Sequence, residues 1–198
     1  DDDAMGGSQS TWSNVTLGAS EPGLRINGFG RQLRGYAKQD GGDSVVEDGG
    51  ATLVQSTNDW TEALIEGGVT IDAHSVLRFD FSAASEGEIH AVAFETDDVV
   101  TAATMFQIFG RHATSAIQDF NTYEIAHGTR RYEIPVGDYF TGEFDRMVFL
   151  TDDDAMAGSA SRWSDIRVEH VPPTLVIDDV PRAVAGYGDR DTGESDID

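Results

Sequence analysis

Seven short stretches of this chain alternate apolar and polar side chains with a period close to two: 51–55, 76–81, 88–94, 105–109, 131–134, 146–151 and 163–169. Successive side chains on an extended strand point to opposite faces, so this period gathers the apolar ones on one side. From Val76 to Phe81, Leu77, Phe79 and Phe81 share one face, and Arg78 and Asp80 the other. That pattern belongs to a sheet with one dry and one wet side. Arg146 to Thr151 is apolar on both faces, as a central strand is. Gly41-Gly42-Asp43, Asp48-Gly49-Gly50, Glu66-Gly67-Gly68 and Ser85-Glu86-Gly87 read as turns between strands, because glycine supplies the positive φ that bends need. No window sustains a 3.6-residue period. The expected fold is all-β, an antiparallel β-sandwich of jelly-roll type.

A second pattern operates at longer range. Residues 1–44 recur at 152–195, with 19 of 44 positions identical and no gaps. Unrelated sequences share about 3 in such a span. Asp1-Asp2-Asp3-Ala4-Met5 returns as Asp152-Asp153-Asp154-Ala155-Met156, and Trp12-Ser13 as Trp163-Ser164. Leu24, Ile26, Arg31 and Gly35-Tyr36 return as Leu175, Ile177, Arg182 and Gly186-Tyr187. A repeat of this length is a whole domain, far longer than a solenoid or propeller unit. Cut at the prolines near 22 and 172–173, the expected organisation is one complete module at 24–170. Residues 1–20 are then the tail of a preceding repeat, and 174–198 the head of a following one.

Composition narrows the functional classes. The net charge is −23, and Lys38 is the lone lysine. Self-repulsion of that size destabilises a compact fold unless ions screen it, which points to a protein of a halophilic microbe. Nucleic acid is a poor partner for such a surface, since phosphate contacts need clustered Lys and Arg. No apolar run is long enough to insert in a membrane. Without any cysteine, disulfides, thiolate zinc sites and cysteine nucleophiles are excluded. Asn14-Val15-Thr16 is an N-glycosylation sequon, meaningful in an exported chain.

Several short motifs follow one another in order: Asp48-Gly49-Gly50-Ala51-Thr52-Leu53, Asn58-Asp59-Trp60, Leu77-Arg78-Phe79-Asp80-Phe81, Gly87-Glu88-Ile89-His90, Phe106-Gln107-Ile108-Phe109-Gly110, Ile134-Pro135-Val136-Gly137-Asp138-Tyr139 and Trp163-Ser164-Asp165-Ile166-Arg167-Val168-Glu169. Over residues 44–170 their succession resembles the carbohydrate-binding-module jelly rolls carried by secreted polysaccharide-degrading enzymes and surface proteins. The resemblance implies a non-catalytic β-sandwich that binds glycans, often with a structural calcium. This chain departs from the family at Ala91, Ala93 and Glu95, and in the Arg111-His112 that follows Gly110.

Sugar recognition joins aromatic faces to sugar C–H faces and lets a few polar groups fix the hydroxyls. Trp60, Tyr123 and Tyr139 are candidates for the first role, with His90 and Gln107 for the second; core packing is the competing role of each. Asp152 and Asp154, in an acidic loop after a strand, offer oxygens to calcium; a solvated acidic turn is the alternative. Glu86, Glu88 and Glu95 invite comparison with glycosidase carboxylates, but Glu88 and Glu95 have opposite strand parity. The five histidines are scattered without metal-ligand spacing. No catalytic constellation is expected.

Two functions follow. The first is a non-catalytic extracellular module that binds a polysaccharide or other glycan, repeated so that weak sites act together. The second is a structural unit of a surface fibre, sheath or adhesin, in which neighbouring copies of the repeat join by strand exchange.

Overall fold

In the computed structural model the described residues are 23–39, 41–154 and 158–172, with the backbone alone at 174–177 and 180–183. They form an antiparallel β-sandwich. The strands are β1 (Leu24–Ile26), β2 (Phe29–Arg31), β3 (Leu33–Gly35), β4 (Asp43–Glu47), β5 (Thr52–Ser56), β6 (Asp59–Ile71), β7 (Ser75–Ser85), β8 (Ile89–Glu95), β9 (Met105–Phe109), β10 (Arg130–Ile134), β11 (Gly142–Asp152), β12 (Ala160–His170), β13 (Thr174–Ile177) and β14 (Val180–Ala183). One five-stranded sheet runs β10-β7-β12-β5-β4, and the other β3-β6-β11-β8-β9. β1 pairs with β2, and β13 with β14, as separate hairpins. All seven expected strands are present, and no α-helix occurs among the described residues.

The alternation along β7 is the reason it lies as it does. Leu77, Phe79 and Phe81 turn inward and are at most 1% exposed. Outward-facing Arg78 pairs with Glu133 of β10 and Glu169 of β12, while Asp80 takes Arg131. In the middle of the sandwich Trp163 of β12 meets Phe79, Phe81 and, across from the other sheet, Phe149, with ring centroids 5.4, 4.6 and 5.5 Å away. Burial of such rings is the largest apolar contribution a core of this size contains. Strand β11, apolar on both faces, is the central strand of its sheet. Met147 and Phe149 enter the main core, and Val148 and Leu150 a second apolar cluster on the sheet's outer side. Tyr36 covers that second cluster; it is fully buried, and its hydroxyl donates to the Asp97 carbonyl at 3.2 Å.

Two local readings change. Glu66-Gly67-Gly68, expected as a turn, lies inside the 13-residue strand β6. Here the pairing of β6 with β11 jumps from Leu64↔Arg146 to Val69↔Phe144, so the glycines form a bulge and not a chain reversal. The second is the hairpin β1–β2, which the alternation did not reveal. Its turn is Asn27-Gly28, with φ of 55° and 80°, the two-residue geometry that Asn-Gly favours.

Candidate functional site

Three of the five expected sugar-binding residues belong to the interior. His90 is fully buried between the rings of Phe81 and Phe109, at 5.9 and 5.3 Å. Its Nε2 accepts the Gly87 N–H at 3.0 Å, and Nδ1 lies 3.4 Å from Thr151 Oγ1. Burial lowers its pKa to about 4, so the ring is neutral at pH 7. Beyond Thr151 the polar chain continues to Ser161 Oγ at 2.6 Å, then to the Trp163 indole N–H, which also donates to Gln55 Oε1 at 3.0 Å. Gln107, fully buried, pins the segment that follows β9. It donates to the His112 carbonyl at 2.7 Å and accepts from the Thr114 N–H and hydroxyl and from Gln118. Tyr123 donates to the Gly128 carbonyl at 2.8 Å and accepts the Ala83 N–H at 3.0 Å. Each of these groups already has its partners within the chain.

Trp60 and Tyr139 are partly exposed and lie apart. Trp60 packs on the cluster beneath Tyr36, close enough to Asp152 to act on its carboxylate. Tyr139 packs on Phe106, with centroids 5.3 Å apart, and donates to Asp119 at 2.8 Å. Burial and that carboxylate push its hydroxyl up to about 12. The five do not assemble into one open face.

The acidic loop does assemble. Carboxylate oxygens of Glu88, Asp152 and Asp154 lie within 4.8 Å of one another, and Asn58 Nδ2 donates to Asp154 at 2.7 Å. Burial, and then the charges of Asp154 and Glu88, raise the pKa of Asp152. Arg111 balances part of this charge from 3.8 Å off Glu88 and 3.5 Å off Asp153. An all-oxygen, anionic set of this kind suits a hard divalent cation. It does not suit glycoside hydrolysis with Glu95, because seven residues of extended strand separate Glu88 and Glu95 by about 23 Å, against roughly 5–9.5 Å for a catalytic pair. Glu95 is itself buried and accepts the Thr101 N–H at 2.7 Å.

An open cavity of about 480 Å³ lies elsewhere, where the β1–β2 turn meets β12. Its position follows from two backbone irregularities. Asp165 takes φ 50°, and the pairing of β12 with β7 skips between Ser164 and Arg167. The bulge turns polar groups of β12 toward the hairpin. Asn27 fills the gap: its N–H donates to the Ile166 carbonyl at 3.1 Å, its side-chain oxygen accepts the Val168 N–H at 2.8 Å, and its amide donates to the Val168 carbonyl at 3.1 Å. Arg25, Asp165, Arg167 and Glu169 reach the mouth of the cavity. Arg167 is paired with Asp165 and Glu169, whereas Arg25 has no charged partner among the described residues.

None of these cavity residues was expected. The signal that could have found them is Asn27-Gly28 between Leu24-Arg25-Ile26 and Phe29, the strongest short-range mark of a hairpin. Asn14 lies outside the described residues. Among those residues no helix is long and apolar enough to cross a membrane.

No protein-family model and no curated protein matches the chain. Among solved structures it is similar to a mutant family 29 carbohydrate-binding module, at 16% identity and TM-score 0.40 over 72% of this chain and 81% of that one. It is similar to the glycoside hydrolase domain of Endo-D from Streptococcus pneumoniae R6, at 9% identity and TM-score 0.43, over 73% of this chain and 22% of that one. A low-affinity xylan-binding module from Roseburia intestinalis resembles it at 13% identity and TM-score 0.35, over 69% and 95% of the two chains.

Proposed function

We propose that this chain is a non-catalytic glycan-binding module that works outside the cell in a salt-rich medium. One observation carries the reading: the cavity between the β1–β2 turn and the β12 bulge presents Arg25, Asp165, Arg167 and Glu169 at a single mouth. Donors and acceptors so gathered are the chemistry that fixes sugar hydroxyls, and their charges cancel on a molecule of net charge −23. Two arginines and two carboxylates leave the mouth neutral, so it accepts neutral and acidic sugars alike. On the same reading Glu88, Asp152 and Asp154 hold a calcium ion that fixes the loop after β11.

The test is a polysaccharide array in high salt with calcium present, run on the chain and on Arg25→Ala and Asp165→Asn. Arg25 is exposed and asparagine tolerates the positive φ at 165, so both variants fold. Retention of the chain on a glycan, with retention lost in Arg25→Ala, supports the cavity. Binding unchanged in both variants removes the cavity from the proposal. No retention on any polysaccharide overturns the function itself.

A second reading, a repeat unit of a surface fibre or sheath, is favoured by the pairing of β13 with β14, which matches that of β1 with β2. Electron microscopy of the native protein separates the two readings: filaments with an axial repeat of one module support the fibre, and dispersed particles exclude it.

A further inference from the structure

The hairpins at the two ends of the described chain carry the same register. In β1–β2 the Cα partners are Leu24↔Arg31 and Ile26↔Phe29. In β13–β14 they are Leu175↔Arg182 and Ile177↔Val180. Every one of these residues is displaced by 151 positions, the offset at which the sequence repeats. The repeat is therefore a repeat of backbone pairing as well as of letters.

The first hairpin also has a defined seat. Leu24 and Ile26 are at most 1% exposed and belong to the main core, and Asn27 closes the β12 bulge through the three hydrogen bonds described above. The hairpin that opens the sandwich thus docks on the strand that ends it, some 141 residues later.

Identical residues in the two copies fall where this arrangement is most demanding. Leu24 and Ile26 of the hairpin recur, as does Tyr36, which covers the outer cluster. So does Gly42, where a side chain would strike the Ser56 carbonyl. At the other end Ser159, Ser161 and Trp163 are all at most 1% exposed, and they recur as Ser8, Ser10 and Trp12. Asp165, at positive φ in the bulge, has Asn14 as its counterpart. Asn and Asp are the two non-glycine residues that most often accept that conformation. Buried and sterically closed positions are thus identical in the two copies, and the bulged one is alike in kind.

We infer that residues 174–183 are the opening hairpin of a second copy of this module. Its docking surface is the bulged last strand of that copy, not any surface of residues 23–172. The partner is a second copy of the same fold, joined through Val171-Pro172-Pro173. Each module is clasped by its own hairpin, and a link of three residues holds consecutive modules close together.

The test transplants the hairpin within the full 198-residue chain. Residues 24–32 are replaced by the sequence of 175–183, keeping Gly23, whose missing side chain leaves room for the Arg31 carbonyl. A control replaces 24–32 with glycine and serine. Thermal unfolding of the control is expected to fall by about 10 °C or more, since two buried aliphatic side chains are lost. The transplant is expected to recover more than half of that loss. A second transplant that keeps Asn27, in place of the aspartate the copied sequence brings to that position, should gain about 2–4 °C by retaining the amide donor for the Val168 carbonyl. Recovery of less than half, or a control as stable as the parent, overturns the inference. An independent pair of variants guards against a chimera that misfolds for other reasons: Ile26→Asn should lower the midpoint and Ile177→Asn should leave it unchanged. An equal loss in both would show that 174–183 serves this module, and would also overturn the inference. Neither readout depends on glycan binding.

Discussion

At the scale of single residues, the chain's chemistry-bearing side chains serve mainly to organise its interior. His90 is the clearest case. Its pKa is depressed by burial to about 4, against about 6.5 in an unfolded chain. The fold therefore holds the neutral ring, and the unfolded state takes up a proton first. This contribution is fully present above pH 6.5 and is lost as pH falls toward 4, by up to about 3 kcal/mol. Urea unfolding at pH 7 and 4.5 should show a steeper acid loss for the parent than for His90→Gln; equal slopes would remove His90 as the cause. Trp163→Phe should cost about 2–4 kcal/mol in the same assay, because it opens space among Phe79, Phe81 and Phe149 and leaves Gln55 without its indole donor. The residue types were legible in the sequence, and so was the strand that carries Trp163. Which of the candidates would be buried was not, because the partners of His90 and Tyr123 include Thr151 and Ala83, 61 and 40 residues away, and Gln107 is enclosed by a loop that carries no period.

At the scale of elements, period-two alternation located seven strands because each has neighbours of opposite character on its two faces. It missed β6, where Gly67 and Gly68 form a bulge and break the pattern in mid-strand. It also missed the three-residue strands β1, β2 and β3, which are too short to express a period. The cavity went unseen for the same reason, since it exists only where a short hairpin meets a bulge. The hairpin turn yields a prediction in which conformation and sterics separate. Gly28 has φ 80° with nothing near a would-be side chain, so Gly28→Ala should cost about 1–2 kcal/mol from backbone conformation alone. Gly42→Ala should cost more, because the new Cβ meets the Ser56 carbonyl. Denaturation midpoints of the two variants decide between these causes. A loss at Gly28 as large as that at Gly42 would contradict the argument.

At the scale of the whole molecule, charge sets the conditions under which the fold persists. The 36 acidic residues face 13 basic ones, and the exposed ion pairs on the β7 and β12 surface, such as Arg131 with Asp80, contribute little because water and salt screen them. Repulsion outweighs them, so screening should stabilise. Raising sodium chloride from 0.1 to 2 M, which shrinks the Debye length from about 10 Å to under 3 Å, is expected to raise the thermal midpoint by several degrees. A fall would show that the ion pairs dominate. Calcium tests a local version of the same balance. At about 100-fold excess over its dissociation constant it should raise the midpoint by about 5 °C or more, and Asp152→Asn with Asp154→Asn should abolish the rise. An undiminished response in the double variant would place the ion elsewhere.

The seat of the first hairpin also sets the timing of folding during synthesis. Asn27 and Val168 are 141 residues apart, so the ribosome must extend the chain for on the order of ten seconds after the hairpin emerges before its receptor strand exists. For that interval Leu24 and Ile26 have no native cover. The segment from Trp12 to Ala19, aligned by the repeat with the receptor strand and identical to it at Trp12 and Ser13, precedes the hairpin in the sequence and has already emerged. The hairpin is therefore made after this related sequence and before its own receptor strand. Correct assembly depends on the hairpin remaining available when residues 160–170 arrive.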